Sequence, residues 1–140
     1  MYVIGLTGGI GSGKSTVAQM LEGEGAALLS ADAVGHEVYL PDQPAWREVV
    51  EVFGRQIVAP DRAIDRKKLG AIVFSDPEQL RRLNAITHPR MKELMREKLE
   101  EERKRGARVT VLEAALLFDA GWDDLTDEVW VTMAPPEVAA

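Results

Sequence analysis

Residues 2–23 read YVIGLTGGIGSGKSTVAQMLEG. An apolar run, a glycine-rich loop ending in Lys14 and Ser15, and an amphipathic pattern follow in that order, which predicts strand, phosphate loop, helix. The loop satisfies GxxxxGK[ST] with Gly8, Gly13, Lys14 and Ser15. A backbone that wraps a phosphate chain needs little side-chain bulk and φ angles that other residues resist, which suits Gly8, Gly9, Gly11 and Gly13. Their N–H groups can converge on phosphate oxygens, and the positive end of the next helix adds its field there. Lys14 can reach the β- and γ-phosphates, the Ser15 hydroxyl can ligand Mg²⁺, and Thr16 adds a hydroxyl in the first helical turn. A glycine-rich turn with a surface lysine is the plainer reading. The flanks decide against it: Tyr2 to Leu6 reads as a buried strand, and Val17, Ala18 and Leu21 share one helix face.

A chain of 140 residues holds one domain with a real core, and 46% hydrophobic with 29% charged residues is the balance of a globular protein. No apolar stretch approaches the roughly 20 residues that span a bilayer. The first residues enter the strand directly, with no room for a signal peptide, so a cytoplasmic location and no membrane partner are expected. Cysteine is absent, which excludes disulfides and thiolate metal sites. A net charge of −6 argues against a broad nucleic-acid surface and leaves room for a local basic cleft that takes a phosphorylated small molecule.

Gly23 and Gly25 stop the first helix, and Ala26 to Ser30 forms a second apolar run. Asp32 follows immediately. Ligands of open parallel sheets bind at the carboxyl ends of strands, where Asp32 can take a proton from an attacking hydroxyl; equally, it can cap a helix starting near Ala33. Residues 33–106 are mostly helical by pattern. Pro41 and Pro44 break the chain, after which Trp46, Val49, Val50 and Phe53 fall at core-helix spacing. Asp65 can cap a helix containing Leu69 and Ile72, while Ser75 and Glu78 form a capping-box signal for a helix carrying Leu80, Leu83 and Ile86. His88 and Pro89 are expected to interrupt it. A last helix, roughly Arg90 to Arg105, packs through Met91, Leu94, Met95 and Leu99, with EKLEEERKR as a solvated face of i,i+4 ion pairs ended by Gly106.

Val109 to Leu112 is a third strand pattern closing on Glu113, a carboxylate that can hold a water on Mg²⁺ or serve as a cap or surface acid. AALLFDAG, residues 114–121, reads as an apolar turn or short helix. Val129 to Met133 is a fourth strand, and Pro135, Pro136 and Glu137 open a new helix. No repeat, low-complexity tract or linker interrupts this pattern. The fold class is α/β: one domain over 1–140, a parallel sheet flanked by helices with a large helical insertion, at about 33–106, between the second and third strands.

A phosphate loop alone does not choose among kinases, GTPases and motor ATPases. Three features favour a small-molecule kinase: a candidate base at the end of the second strand, an insertion sized for an acceptor, and no NKxD motif for guanine. The chemistry expected is in-line transfer of a γ-phosphoryl group, catalysed by positioning and cationic stabilisation.

Several blocks together resemble the dephospho-CoA kinase family: GLTGGIGSGKSTVA from Gly5, SADAVGHEV around Asp32, IDRKKLGAIVFSDPEQLRRLNAITHP from Ile64 to Pro89, and VLEAALLFDAGW from Val111 to Trp122. The long third block is far more specific than the phosphate loop. The resemblance implies a P-loop kinase fold whose helical insertion at about 33–106 binds the acceptor, and phosphate transfer from ATP to the ribose 3′-hydroxyl of dephospho-CoA, the last step of coenzyme A synthesis. Lys14 and its loop, Gly9, Ile10, Gly11, Ser12, Gly13, Ser15 and Thr16, would hold ATP, with Ser15 on Mg²⁺ and Glu113 nearby. Asp32 would be the general base, and Arg66, Lys67 and His88 would contact or shape the acceptor site. Leu116 and Leu117 align with paired leucines that lie against the acceptor.

Many family members have aspartate, then proline two residues later, where this chain has Glu113 and Ala115; the carboxylate is retained, and a turn loosened by Ala115 is not expected to abolish activity. The family also continues into an arginine-bearing helix, a lid, a further strand and a terminal helix that do not appear before Ala140. Cationic groups on transferring phosphate are worth roughly 10³ to 10⁵ in rate, so these 140 residues alone are expected to bind ATP weakly and turn over little. The alternatives are another P-loop kinase acting on a nucleoside, a nucleotide or shikimate, and a nucleotide-binding fragment without turnover. Oligomeric state has no signal in the sequence.

Overall fold

The computed structural model describes residues 1–9 and 11–133, so Ile10 and the helix start at Pro135 to Glu137 lie outside the described residues. β1 (Tyr2–Gly8) is buried at five successive positions, Val3 to Thr7. A strand apolar on both faces belongs inside a parallel sheet, and β1 takes that place. β2 (Ala27–Ser30), β3 (Val109–Glu113) and β4 (Glu128–Thr132) complete a sheet in the order β2-β3-β1-β4, every pair parallel. The register sets Leu6 and Ser30 both opposite Glu113, and Gly8 opposite Thr132. The carboxyl ends of the strands therefore finish on one edge of the sheet, where ligands of such folds bind. α1 (Lys14–Gly23) packs Ala18 against Leu6 and Val111, with Val17 and Leu21 beside them. The expected helix face is the one that is buried.

The chain divides into two compact units, Met1–Asp32 with Met95–Ala140, and Ala33–Leu94. The first holds the sheet. The second has its own core of Val49, Phe53, Ile57, Ile64, Leu69, Val73 and Leu83. α3 (Pro44–Phe53) has proline at its first position and buries Ala45, Val49 and Phe53, while Trp46 packs on the shoulder of that core. Asp65 caps α4 (Arg66–Val73) by accepting hydrogen bonds from the N–H groups of Lys67 and Lys68, as its position predicts.

Three local expectations are corrected. α2 (Ala31–Glu37) begins ahead of Asp32, which therefore sits in the first turn and is not a cap preceding Ala33. Asp76, not Ser75, caps the next helix, accepting from the N–H groups of Glu78 and Gln79 at 3.0 and 3.4 Å, while the Ser75 hydroxyl donates to the Ala71 carbonyl. Aspartate directly before a proline at the first helical position is the better-placed acceptor. That helix, α5, runs unbroken from Pro77 to Lys104 with Pro89 inside it, rather than ending at His88. Pro89 removes one backbone donor, but Leu83 before it and Met95 and Leu99 after it are buried and hold both stretches helical. Its charged end pairs Glu100 with Arg103 and Glu102 with Arg105 at i,i+3.

Candidate active site

The loop after β1 leaves the sheet between β3 and β4. Gly13, at φ +85°, is the N-cap of α1 in a left-handed conformation that favours glycine. It supplies no side-chain cap, and the first turn of α1 carries no acid. The first N–H groups of the helix and its positive end are left for an external anion. Lys14 enters the same space.

A cavity of about 730 Å³ is lined by Thr7, Gly8, Gly9, Gly11 to Thr16, Asp32, Glu113, Ala115, Phe118 and Val131. The strand ends explain the gathering. Glu113 is the last residue of β3, and Asp32 lies two residues past the end of β2, whose Ser30 is opposite Glu113. Lys14 Nζ and Glu113 Oε1 are 4.0 Å apart, and both side chains are about four-fifths buried, at 17% and 20% exposure. A cation held loosely at that distance remains available to a phosphate. The turn after β3 is tied to β1 by Ala114 N–H donating to the Leu6 carbonyl at 3.0 Å and Thr7 Oγ1 donating to the Ala115 carbonyl at 3.3 Å. Proline is thus not needed at 115 for the turn to meet the central strand.

The dephospho-CoA kinase family profile matches residues 2–139. Relatives named dephospho-CoA kinase from Moorella thermoacetica and Geobacter metallireducens are 47% and 50% identical, over 99% and 98% of this chain and 66% and 68% of their own lengths. The chain belongs to the dephospho-CoA kinase family. A crystal structure from Thermus thermophilus matches with TM-score 0.78 at 37% identity, covering 97% of this chain and 67% of that one. The dephospho-CoA kinase from Campylobacter jejuni matches with TM-score 0.71 at 28% identity, covering 91% and 64%. The fold is that of the P-loop kinases, a parallel sheet flanked by helices, and the chain spans about two thirds of the length of the relatives it matches.

The remaining family-motif residues are placed as follows. Leu116 is 47% exposed, whereas Leu117 is fully buried and packs at Gly5, so of this pair only Leu116 presents surface. Arg66, Lys67 and His88 lie in the unit Ala33–Leu94. Arg66 and Lys67 border a cavity of about 610 Å³ with Gly70, Ala71, Phe74 and Ser75, and the Arg66 guanidinium sits 5.6 Å from the Tyr39 ring centroid. Burial pushes the Tyr39 phenol up, offset in part by Arg66 and a hydrogen bond with Thr87. Burial also lowers the His88 imidazole below its ordinary 6.5.

Thr7, Phe118 and Val131 also line the phosphate-loop cavity; Thr7 and Phe118 lie inside the quoted family blocks without being site candidates, and Val131 lies in no motif. Phe118 lies in a stretch whose apolarity suggests core, yet it is 54% exposed. Val131 reaches the cavity because β4 neighbours β1, and pairing between strands over a hundred residues apart is not written in local periodicity. Among the described residues no helix is long and apolar enough to cross a membrane, and no group of three or more histidine or acidic side chains is arranged to hold a metal.

Proposed function

We propose that this chain carries the ATP site and catalytic carboxylate of a dephospho-CoA kinase, transferring the γ-phosphoryl group of ATP to the ribose 3′-hydroxyl of dephospho-CoA. One observation carries the reading: the phosphate loop, Lys14, Asp32 and Glu113 line a single cavity at the strand ends. The Asp32 carboxylate accepts the proton of the 3′-hydroxyl as its oxygen bonds to the γ-phosphorus and the bond to the β-γ bridging oxygen breaks, releasing ADP. Lys14 and the uncapped first turn of α1 stabilise the charge spread over the phosphoryl oxygens. Ile10 belongs to the same loop by its motif position.

Ser15 and Glu113 offer oxygen donors in that cavity, the donor type Mg²⁺ prefers, and Mg²⁺ typically takes only one or two protein groups beside substrate phosphates. A bound Mg²⁺ would neutralise phosphate charge there. Arg66, Lys67 and His88 are assigned to the acceptor through the family motif, and Leu116 offers it an apolar surface. ATP-dependent synthesis of this kind fits a cytoplasmic location.

The test is ADP release from Mg²⁺-ATP with and without dephospho-CoA, beside Lys14→Ala and Asp32→Asn. Acceptor-dependent release that both substitutions reduce at least about 100-fold supports the assignment. Acceptor-independent release, or release unaffected by Asp32→Asn, overturns it. ATP binding that requires Lys14, without release, retains the nucleotide site and refutes turnover by these 140 residues.

A further inference from the structure

β4 does more at its end than complete the sheet. Its last residue, Thr132, stands opposite Gly8 in the register, at the point where the phosphate loop begins. The Ser12 and Thr132 hydroxyl oxygens are 2.7 Å apart, and Thr132 Oγ1 lies 3.3 Å from the Thr7 carbonyl oxygen, within donating distance. A threonine hydroxyl has one proton and two lone pairs. Thr132 can accept from Ser12 while donating to Thr7, or donate to Ser12 itself, and in both arrangements the two hydroxyls are paired. Either way the Ser12 hydroxyl is tied to the end of β4. The rest of the loop agrees with this tether: Ser12 N–H donates to the Gly9 carbonyl at 3.2 Å, closing a turn that leads into Gly13.

Gly8 leaves room for the arrangement. A Cβ there would collide with Thr132 Oγ1 and lie 2.6 Å from Ser12 Oγ and 2.8 Å from the Thr132 carbonyl oxygen. Glycine at this position is thus required by a neighbour across the sheet as well as by the phosphate.

We propose that Thr132 is a positioning residue for the phosphate loop: through Ser12 it holds the loop in its anion-binding shape and makes that shape depend on β4 being docked on β1. The proposal rests on the phosphate-binding reading of the loop. In it Ser12 acts as a tether, and phosphate is met by the uncapped helix turn and by Lys14.

The test compares Thr132→Val, which keeps a β-branched shape suited to a strand but removes the hydroxyl, with Thr132→Ser, which keeps the hydroxyl. Two readouts are needed. Backbone ¹⁵N order parameters of Ser12 and Gly13 in nucleotide-free protein report the tether, and titrations with Mg²⁺-ATP and with tripolyphosphate report the site. Thr132→Val is expected to lower the order parameters and weaken both ligands roughly three- to tenfold, the size of one lost hydrogen bond, at an unchanged melting temperature. Thr132→Ser is expected to behave as the parent in both. Parent-like order parameters or affinities in Thr132→Val overturn the proposal, as does a Thr132→Ser variant that loses as much. If the parent protein binds neither ligand, the phosphate-binding reading fails, and this proposal fails with it if the order parameters are also unmoved. Lowered order parameters in that case preserve the tether alone.

Discussion

Lys14 and Gly8 show how differently two residues of one motif are constrained. Under the proposed function Lys14 answers to the ligand, and within the protein its ammonium lies 4.0 Å from Glu113, at the limit of an ion pair. Gly8 is set by the protein. Gly8→Ala must displace Thr132 or Ser12, and we expect it to cost about 1–3 kcal/mol in urea denaturation, the usual range for overpacking. An unchanged midpoint would mean the β4 end yields freely. His88 has a different signature. Burial lowers its pKa in the folded protein, so below 6.5 the unfolded chain binds the proton more tightly. Its contribution is intact above about pH 6.5, declines as pH falls through 6.5 toward the lower folded value, and levels off beneath that. Melting temperatures from pH 8 to 5 should therefore fall less in His88→Asn than in the parent; parallel curves would remove His88 from the account.

Helix ends and a helix interior supply the predictions at the next scale. The Asp65 carboxylate satisfies two N–H groups at the start of α4, so Asp65→Ala should cost about 1 kcal/mol, read by chemical denaturation. Pro89 is the opposite case, a residue the helix tolerates. A proline in a helix interior costs about 3 kcal/mol, part of which is returned by stiffening the unfolded chain. Pro89→Ala is therefore expected to raise stability by about 1–2 kcal/mol. A fall in stability would show that the packing of α5 depends on the proline ring itself. The element types are legible in the sequence because apolar spacing and caps are local. The helix break expected at His88 and Pro89 is not borne out, since Leu83, Met95 and Leu99 hold the two stretches through tertiary burial that spacing alone does not weigh.

For the molecule as a whole, the exposed feature of the sheet is β4. Among the described residues it has β1 on one side and no strand on the other, with Trp130 and Val131 both exposed. Unpaired strand edges with apolar side chains template pairing with other chains. We expect concentration-dependent self-association of these 140 residues, reduced by Trp130→Lys and measured by sedimentation velocity. A monomer at all concentrations in the parent would refute this. The edge also bears on function through Thr132, because whatever holds β4 in register holds the end of the phosphate loop.

Local chemistry is sufficient for a large part of this protein. The glycine loop followed by Lys14 and Ser15, the apolar face of α1, the Asp65 cap and the family blocks are all patterns within a few residues of one another, and each can be read without knowing what lies across the sheet. Neighbours are a different matter. The order β2-β3-β1-β4 brings Glu113 and Val131 to a loop about a hundred residues earlier, sends Leu117 inward while leaving Leu116 outside, and sets Thr132 on Ser12. Strand order and register follow from burying every apolar surface of the chain at once, and no local spacing encodes that. The phosphate site is therefore half sequence and half assembly: the loop names its ligand, and the packed sheet holds the loop in shape.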